Sequence, residues 1–183
     1  VKEATADPDN MRRTRECCGP EYTILSGDDG MTYEMMTDPA INAAGVISVA
    51  ANVAPGAVSK MVQLLNGGNQ TEAKTLMLKL APLFSLVTVK TTEKTPFGEV
   101  VCRARNPVAY KALMSILGMP AGGCRPPLGK LTQKGVNVVL EAARNVHANA
   151  PDILQPVADF FNVDIGQRLE NPENWEGLYY ENY

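Results

Sequence analysis

Three short apolar runs near the start of the chain each end in small or charged residues, and a helix-length segment follows each one. They are Val1-Lys2-Glu3-Ala4-Thr5, Ile24-Leu25-Ser26-Gly27-Asp28-Asp29 and Gly45-Val46-Ile47-Ser48-Val49. This rhythm predicts consecutive β–α units, in which helical crossovers join the buried, β-branched strands of one parallel sheet. In such sheets ligands meet the carboxyl ends of the strands, so chemistry would sit just past each run. Lys2 at one strand end and Gly27-Asp28-Asp29 at the next therefore form one candidate constellation.

The punctuation between the runs supports helices. Asp7-Pro8 pairs a capping side chain with proline at the first helical position, and Gly19-Pro20 stops the helix that contains Met11, Arg12, Arg15 and Glu16. Strands are predicted at 22–25 and 46–49. A helix is predicted from Met31 to Met36, broken by Asp38-Pro39 and resuming at 41–44, and another from Pro55 to Asn66-Gly67-Gly68. Residues 69–87 read as one long helix with Ala73, Leu76, Leu78, Leu80, Leu83 and Phe84 on its apolar face and a kink at Pro82. The polar, β-branched stretch 88–105 reads as a loop or irregular insertion. Beyond it come a helix capped by Asn106-Pro107, a turn-rich connector at 122–129, an amphipathic helix at 132–149 and a shorter helix at 151–161. The last segment, 164–183, sets Trp175, Tyr179, Tyr180 and Tyr183 among acidic residues and reads as a tail packed on its own protein or on a second copy. The expected division is β/α units over 1–68, a helical extension over 69–163, and the acidic aromatic tail.

Composition narrows the function classes. The 183 residues suffice for one ordinary domain with a real core, and 45% apolar with 20% charged residues is the balance of a globular protein. A net charge of −3 supplies no basic footprint for nucleic acid, and no apolar run approaches the roughly 20 residues that span a bilayer. Cys17, Cys18, Cys102 and Cys124 include no Cys-x-x-Cys pair and His147 is the only histidine, so zinc and thioredoxin-like roles are not expected. The cysteines read as reduced thiols of a cytoplasmic protein. The chain opens on Val1, with no initiator methionine and no apolar leader, which suggests the C-terminal portion of a longer protein.

A lysine held against an apolar wall at a strand end loses hydration, and its neutral amine can then attack a carbonyl to form a Schiff base. Spacing alone gives Lys2 little weight, because lysine beside glutamate is commonplace. Gly27-Asp28-Asp29 is more informative, since glycine after a strand lets backbone approach a ligand. The two carboxylates can cap the helix that follows, orient a substrate or hold a metal. Capping fits the Met31 helix, and metal binding is the least supported because no third ligand is in view.

Taken together, Val1-Lys2-Glu3-Ala4-Thr5, Leu25-Ser26-Gly27-Asp28-Asp29 and 45–53, in this order and spacing, resemble the 4-hydroxy-tetrahydrodipicolinate synthase (dihydrodipicolinate synthase) family. The Asn106-Pro107-Val108-Ala109-Tyr110-Lys111 helix with Leu117-Gly118, and the Arg125-Pro126-Pro127-Leu128 connector, extend the match to about Ala148. Sialic-acid lyases share the fold and the lysine, but the Ser-Gly-Asp-Asp run looks like the synthase branch. The resemblance implies an α/β fold, the C-terminal part of a (β/α)8 barrel with a helical extension, in a family that is usually homotetrameric. It also implies condensation of pyruvate with aspartate semialdehyde on the route to lysine, with no cofactor beyond a covalent imine.

In that reading Lys2 occupies the position of the Schiff-base lysine. Gly27, with Asp28 and Asp29 beside it, lies where backbone approaches the second substrate, and the Ile47 carbonyl neighbours bound pyruvate. The family's proton relay, carboxylate-binding hydroxyls, substrate-binding arginine and lysine-feedback pocket lie upstream of the lysine, so this chain alone is expected to show little or no turnover. Ala6 stands where glycine is usual and Ala50 where threonine is common, while the insertion at 91–100 and the tail after Pro151 are not standard. Two other readings stand beside this one: a sibling aldolase with a different acceptor aldehyde, and a non-catalytic helical fragment or assembly partner.

Overall fold

The computed structural model describes residues 1–181; Tyr183, one of the tail aromatics, lies outside them. Two compact units follow one another along the chain, Val1–Phe84 and Ser85–Tyr183.

The first unit is built from βα repeats. Strands β1 (Lys2–Glu3), β2 (Leu25–Ser26) and β3 (Gly45–Val46) form a parallel sheet in the order β1-β2-β3. Helix α1 (Pro8–Cys18) connects the first pair and α2 (Thr32–Thr37) the second, and α3 (Pro55–Asn66) and α4 (Gln70–Phe84) pack against each other. Asp7 caps α1 as expected: its Oδ1 accepts the N–H groups of Asp9 and Asn10 at 3.0 and 3.4 Å. Gly19, at φ 84°, turns the chain out of the helix in a conformation that a side chain would strain. A methionine-rich core of Met11, Ile24, Met35, Ile41 and Ala43 fills the space between helices and sheet.

Several boundaries differ from the sequence reading. The strands are shorter and shifted: Leu25–Ser26 replaces 22–25, and Gly45–Val46 replaces 46–49, because backbone beyond Val46 bends toward a 3-10 turn at Ala50–Asn52. No helix resumes at 41–44, where Asn42 sits at φ 49°. Leu78 is 61% exposed, being two residues and therefore more than half a turn from fully buried Leu80. The first compact unit continues through α4 to Phe84 and does not end at Gly68, because α4 folds back along α3.

One arginine anchors the end of the first unit where the chain enters its strands. The Arg15 guanidinium donates to the carbonyls of Gly19, Pro20 and Tyr22 ahead of β2, and of Ile41 and Asn42 ahead of β3, at 2.6–3.0 Å. Close by, Asp38 ends α2. The Ala40 N–H foremost, and then Arg12, hold its carboxyl below the ordinary carboxylate value.

The second unit opens with the largest correction. The stretch expected to be irregular is a regular antiparallel hairpin, β4 (Thr88–Thr95) and β5 (Gly98–Arg105), paired from Thr88↔Arg105 to Thr95↔Gly98. Thr95 Oγ1 closes its turn, donating to the Gly98 carbonyl (2.9 Å) and accepting from the Phe97 N–H (3.2 Å). Helices α5 (Val108–Ile116), α6 (Gln133–Asn149), α7 (Gln155–Phe161) and α8 (Ile165–Glu170) follow. Thr132 caps α6 by accepting the Gly135 N–H at 3.0 Å, whereas Asn106 does not cap α5, whose N-terminus has no side-chain cap. Arg168 donates to the Ile116 and Ser115 carbonyls at the C-terminal end of α5. The tail folds onto its own unit: Leu131 and Tyr179 form a β-bridge, and the Arg144 guanidinium lies 6.0 Å from the Trp175 ring centre.

Candidate functional site

The register of the parallel sheet decides which side chains share a face. Lys2 pairs with Leu25 and Leu25 with Gly45, while Glu3 pairs with Ser26 and Ser26 with Val46. Neighbours in parallel register point to the same side, and successive residues alternate. Glu3 turns toward the helices, where its buried carboxylate accepts from the Thr5 N–H (2.8 Å), Asn10 Nδ2 (3.4 Å) and Thr14 Oγ1 (3.5 Å). Lys2 turns the other way and is exposed. Gly27 and Ile47 continue their strands on the Lys2 side: the Gly27 N–H donates to the Glu3 carbonyl (2.6 Å) and the Ile47 N–H to the Ser26 carbonyl (2.8 Å). Lys2, Gly27 and Ile47 thus come together at the carboxyl ends of three strands, on the face opposite Glu3.

Glycine at position 27 has a steric cause. A Cβ built there would lie 2.7 Å from the Ala4 Cβ and 2.9 Å from both Cγ and Cε of Lys2. The lysine side chain therefore runs directly over the Gly27 backbone, and no larger residue leaves it that path. The sequence argument anticipated close approach at Gly27 by a ligand; in this fold the first thing that approaches is Lys2.

The adjacent carboxylates do something the sequence did not suggest. Asp28 occupies the N-cap position of the 3-10 turn Asp29–Met31 but makes no side-chain cap there. Its Oδ2 instead accepts the Ala6 N–H (3.0 Å), tying the loop after β2 to the loop after β1. Asp29, 3% exposed, turns the opposite way, and its Oδ2 accepts the N–H groups of Val49 (3.1 Å) and Ala50 (2.9 Å) at the turn after β3. Capping of their own helix, the expectation for these residues, is replaced by cross-loop bonds. The pair stitches all three loops at the carboxyl end of the sheet, and so holds the backbone around Lys2 and Ile47. Among the described residues no group of three or more His, Cys, Asp or Glu is placed to hold a metal ion.

Two participants escaped the sequence reading. Ser26, fully buried, accepts the Asp28 N–H (3.3 Å), donates to the Asp28 carbonyl (2.9 Å) and meets the Thr32 hydroxyl (3.1 Å), fixing the turn that launches both aspartates. Serine followed two residues on by aspartate is a local turn signal, but no sequence signal reports the buried threonine that completes it. Ala6 adopts φ 54°, a left-handed conformation, and this geometry presents its N–H to Asp28. The family's usual glycine at that position was the available clue.

The model of the dihydrodipicolinate synthetase family matches residues 1–145. A 4-hydroxy-tetrahydrodipicolinate synthase of Methanoculleus marisnigri is 35% identical over 134 residues, which are 73% of this chain and 40% of the relative. The solved structure of the synthase from Methylacidiphilum fumariolicum SolV superposes with a TM-score of 0.67 at 28% identity, over 87% of this chain and 46% of that one. The chloride-inhibited Acinetobacter baumannii enzyme, solved in complex with pyruvate, gives 0.64 at 27% identity, over 80% and 44%. The chain thus spans less than half the length of the proteins it matches, corresponding to their C-terminal part. Its β–α units are the last part of a (β/α)8 barrel, followed by a mainly helical extension. With the family model running through both the strand-end constellation and the helices beyond it, the chain belongs to the dihydrodipicolinate synthetase family.

Proposed function

We propose that the protein takes part in a pyruvate-dependent, aldolase-type condensation in which Lys2 forms an imine with the keto group of pyruvate. The observation that carries this reading is the placement of an exposed Lys2 at a strand's carboxyl end, with its stem laid along Gly27. Contact with Cγ and Cε on one side restricts the stem, so the amine is presented from a narrower set of positions than a free surface lysine offers.

The chemistry follows from the amine. Attack of Nζ on the keto carbon and loss of water give an imine whose protonated nitrogen withdraws electrons. The neighbouring methyl group then gives up a proton, and the resulting enamine carbon attacks an aldehyde to form the new carbon–carbon bond. The Ile47 backbone carbonyl is proposed to lie beside bound pyruvate, and Gly27 beside the acceptor. Asp28 and Asp29 act in this scheme through the backbone, because each already accepts backbone N–H groups. The proposed acceptor is aspartate semialdehyde, giving 4-hydroxy-tetrahydrodipicolinate on the route to lysine, in line with the relatives' names. Pyruvate in the Acinetobacter baumannii structure supports the first substrate.

Intact-mass analysis after incubation with pyruvate and borohydride tests the reading. A single reduced adduct that disappears in Lys2→Ala supports it. An adduct that persists in Lys2→Ala assigns the imine to another amine, and the proposal fails; absence of any adduct from the wild-type chain also removes it.

A further inference from the structure

The hairpin β4–β5 is the element that the family resemblance leaves without a purpose. Its β4 side meets α6, where Lys134 donates to the Thr92 carbonyl and pairs with Glu93 at 3.2 Å. Its β5 side has no strand beyond it among the described residues.

The hydrogen-bond pattern shows what that free edge presents. The Asn106 N–H donates to the Val87 carbonyl at 2.9 Å, so the pair just outside the hairpin is a hydrogen-bonded one. Antiparallel pairs alternate from there. Val89:Ala104, Thr91:Cys102 and Glu93:Val100 exchange bonds within the hairpin, whereas Lys90:Arg103, Thr92:Val101 and Lys94:Glu99 do not. The Thr92 carbonyl, free to meet Lys134 outside the hairpin, agrees with this assignment. Glu99, Val101 and Arg103 therefore turn their N–H and C=O groups outward along β5. All three are exposed, Val101 by 65%. On the same face Lys90 stands directly opposite Arg103, a like-charge pair, and no carboxylate among the described residues forms an ion pair with Arg103.

We propose that β5 is a self-association edge: two copies pair their β5 strands antiparallel about a two-fold axis through Val101, making one continuous four-stranded sheet. About that axis Val101 meets Val101 of the second copy, Glu99 meets Arg103, and Arg103 meets Glu99. Each is a pair whose outward groups bond both ways. The row across the sheet becomes Lys90, Arg103, Glu99, Lys94, so the second copy supplies the carboxylate that the like-charge pair lacks. No other antiparallel register sets Glu99 opposite Arg103. An axis at Arg103 would place that residue against itself, and a shift of one residue would bring outward groups against inward ones. An axis at Cys102 would also bring outward groups together and set Glu99 opposite Arg105, but it would place Arg103 opposite Val101 and leave the Lys90:Arg103 pair without a carboxylate; of these alignments only the one about Val101 answers that pair.

Sedimentation velocity on the full chain across a concentration series tests the proposal, using two charge reversals and their combination. Arg103→Glu should weaken association roughly tenfold or more, since two favourable pairs per dimer become repulsive. That change also places a carboxylate opposite Lys90 in its own hairpin, so a loss of association is not explained by a melted hairpin. Glu99→Arg should weaken association similarly, and the double variant should restore it to within a few-fold of wild type. Val101→Pro removes an N–H that the hairpin itself does not use and should abolish pairing through this edge. A wild-type chain that stays monomeric at its highest soluble concentration overturns the proposal. So does an assembly unchanged by both single reversals, or a double variant no better than either single one.

Discussion

Replacing Gly27 with alanine tests the packing of the lysine most directly. The added methyl would lie 2.7 Å from the Ala4 Cβ and 2.9 Å from Lys2 Cγ and Cε, against about 3.5–4.0 Å for relaxed carbon contacts. The Cε end of the lysine can swing away. The Ala4 Cβ cannot, because the 2.6 Å bond from the Gly27 N–H to the Glu3 carbonyl binds the two strands at that level. Overpacking of this kind costs about 1–3 kcal/mol, and alanine recovers about 0.4–1 kcal/mol by stiffening the unfolded chain. The net expectation is a loss of about 1–2 kcal/mol, or a Tm lower by about 2–8 °C for a chain of this size. Far-UV circular dichroism melts suit the measurement, because the one tryptophan, Trp175, lies in the other unit. Gly30→Ala, where a Cβ meets nothing within 4 Å, is the matched control and should gain about 0.4–1 kcal/mol from the stiffer unfolded chain, raising the melt slightly. Pyruvate trapping on Gly27→Ala should fall with the displaced lysine. A Gly27→Ala protein with wild-type melting and wild-type trapping would show that the lysine does not run over this glycine.

Ala6→Gly should stabilise the protein by about 0.5–1 kcal/mol, because relief of a left-handed alanine exceeds the added chain entropy; urea unfolding midpoints measure it. Asp29→Ala should cost about 2–3 kcal/mol by orphaning the N–H groups of Val49 and Ala50, and Asp29→Asn should cost less in the same titration. Asp38 gives a pH signature. The Ala40 N–H and Arg12 hold its carboxyl below the ordinary carboxylate value, so its contribution is fully present above that ordinary value and is lost as pH falls through the depressed one. Unfolding midpoints of wild type and Asp38→Asn should differ at neutral pH and converge in acid; a constant gap down to acid pH would contradict the assignment.

What was legible in the sequence is what local chemistry decides. Asp7-Pro8 and Gly19 bound α1, Pro55 and Asn66 bound α3, and Thr132 starts α6, each through groups a few residues apart. The hairpin was not legible because it is a two-stranded ribbon with one lightly buried face. On β4 only Val89 and Glu93 are buried, and on β5 nothing is, so the alternation that marks a strand is written in threonine, lysine and glutamate. Ile47 entered only through the family resemblance, whereas Lys2 and Gly27-Asp28-Asp29 were visible as a set, as strand-end residues of successive β–α units. The destinations of Asp28 and Asp29 were not, because their partners at Ala6, Val49 and Ala50 lie some 20 residues away in either direction. A capping residue looks the same in sequence whether it serves its own helix or a neighbouring loop.

Arg15 has a consequence for how the first unit comes apart. A guanidinium is planar and stiff, so its bonds to five carbonyls cannot be surrendered one at a time by small adjustments. Departure of that one side chain releases the end of α1 and the approaches to β2 and β3 together. Fraying there is an all-or-none event, and this corner opens as a single cooperative block.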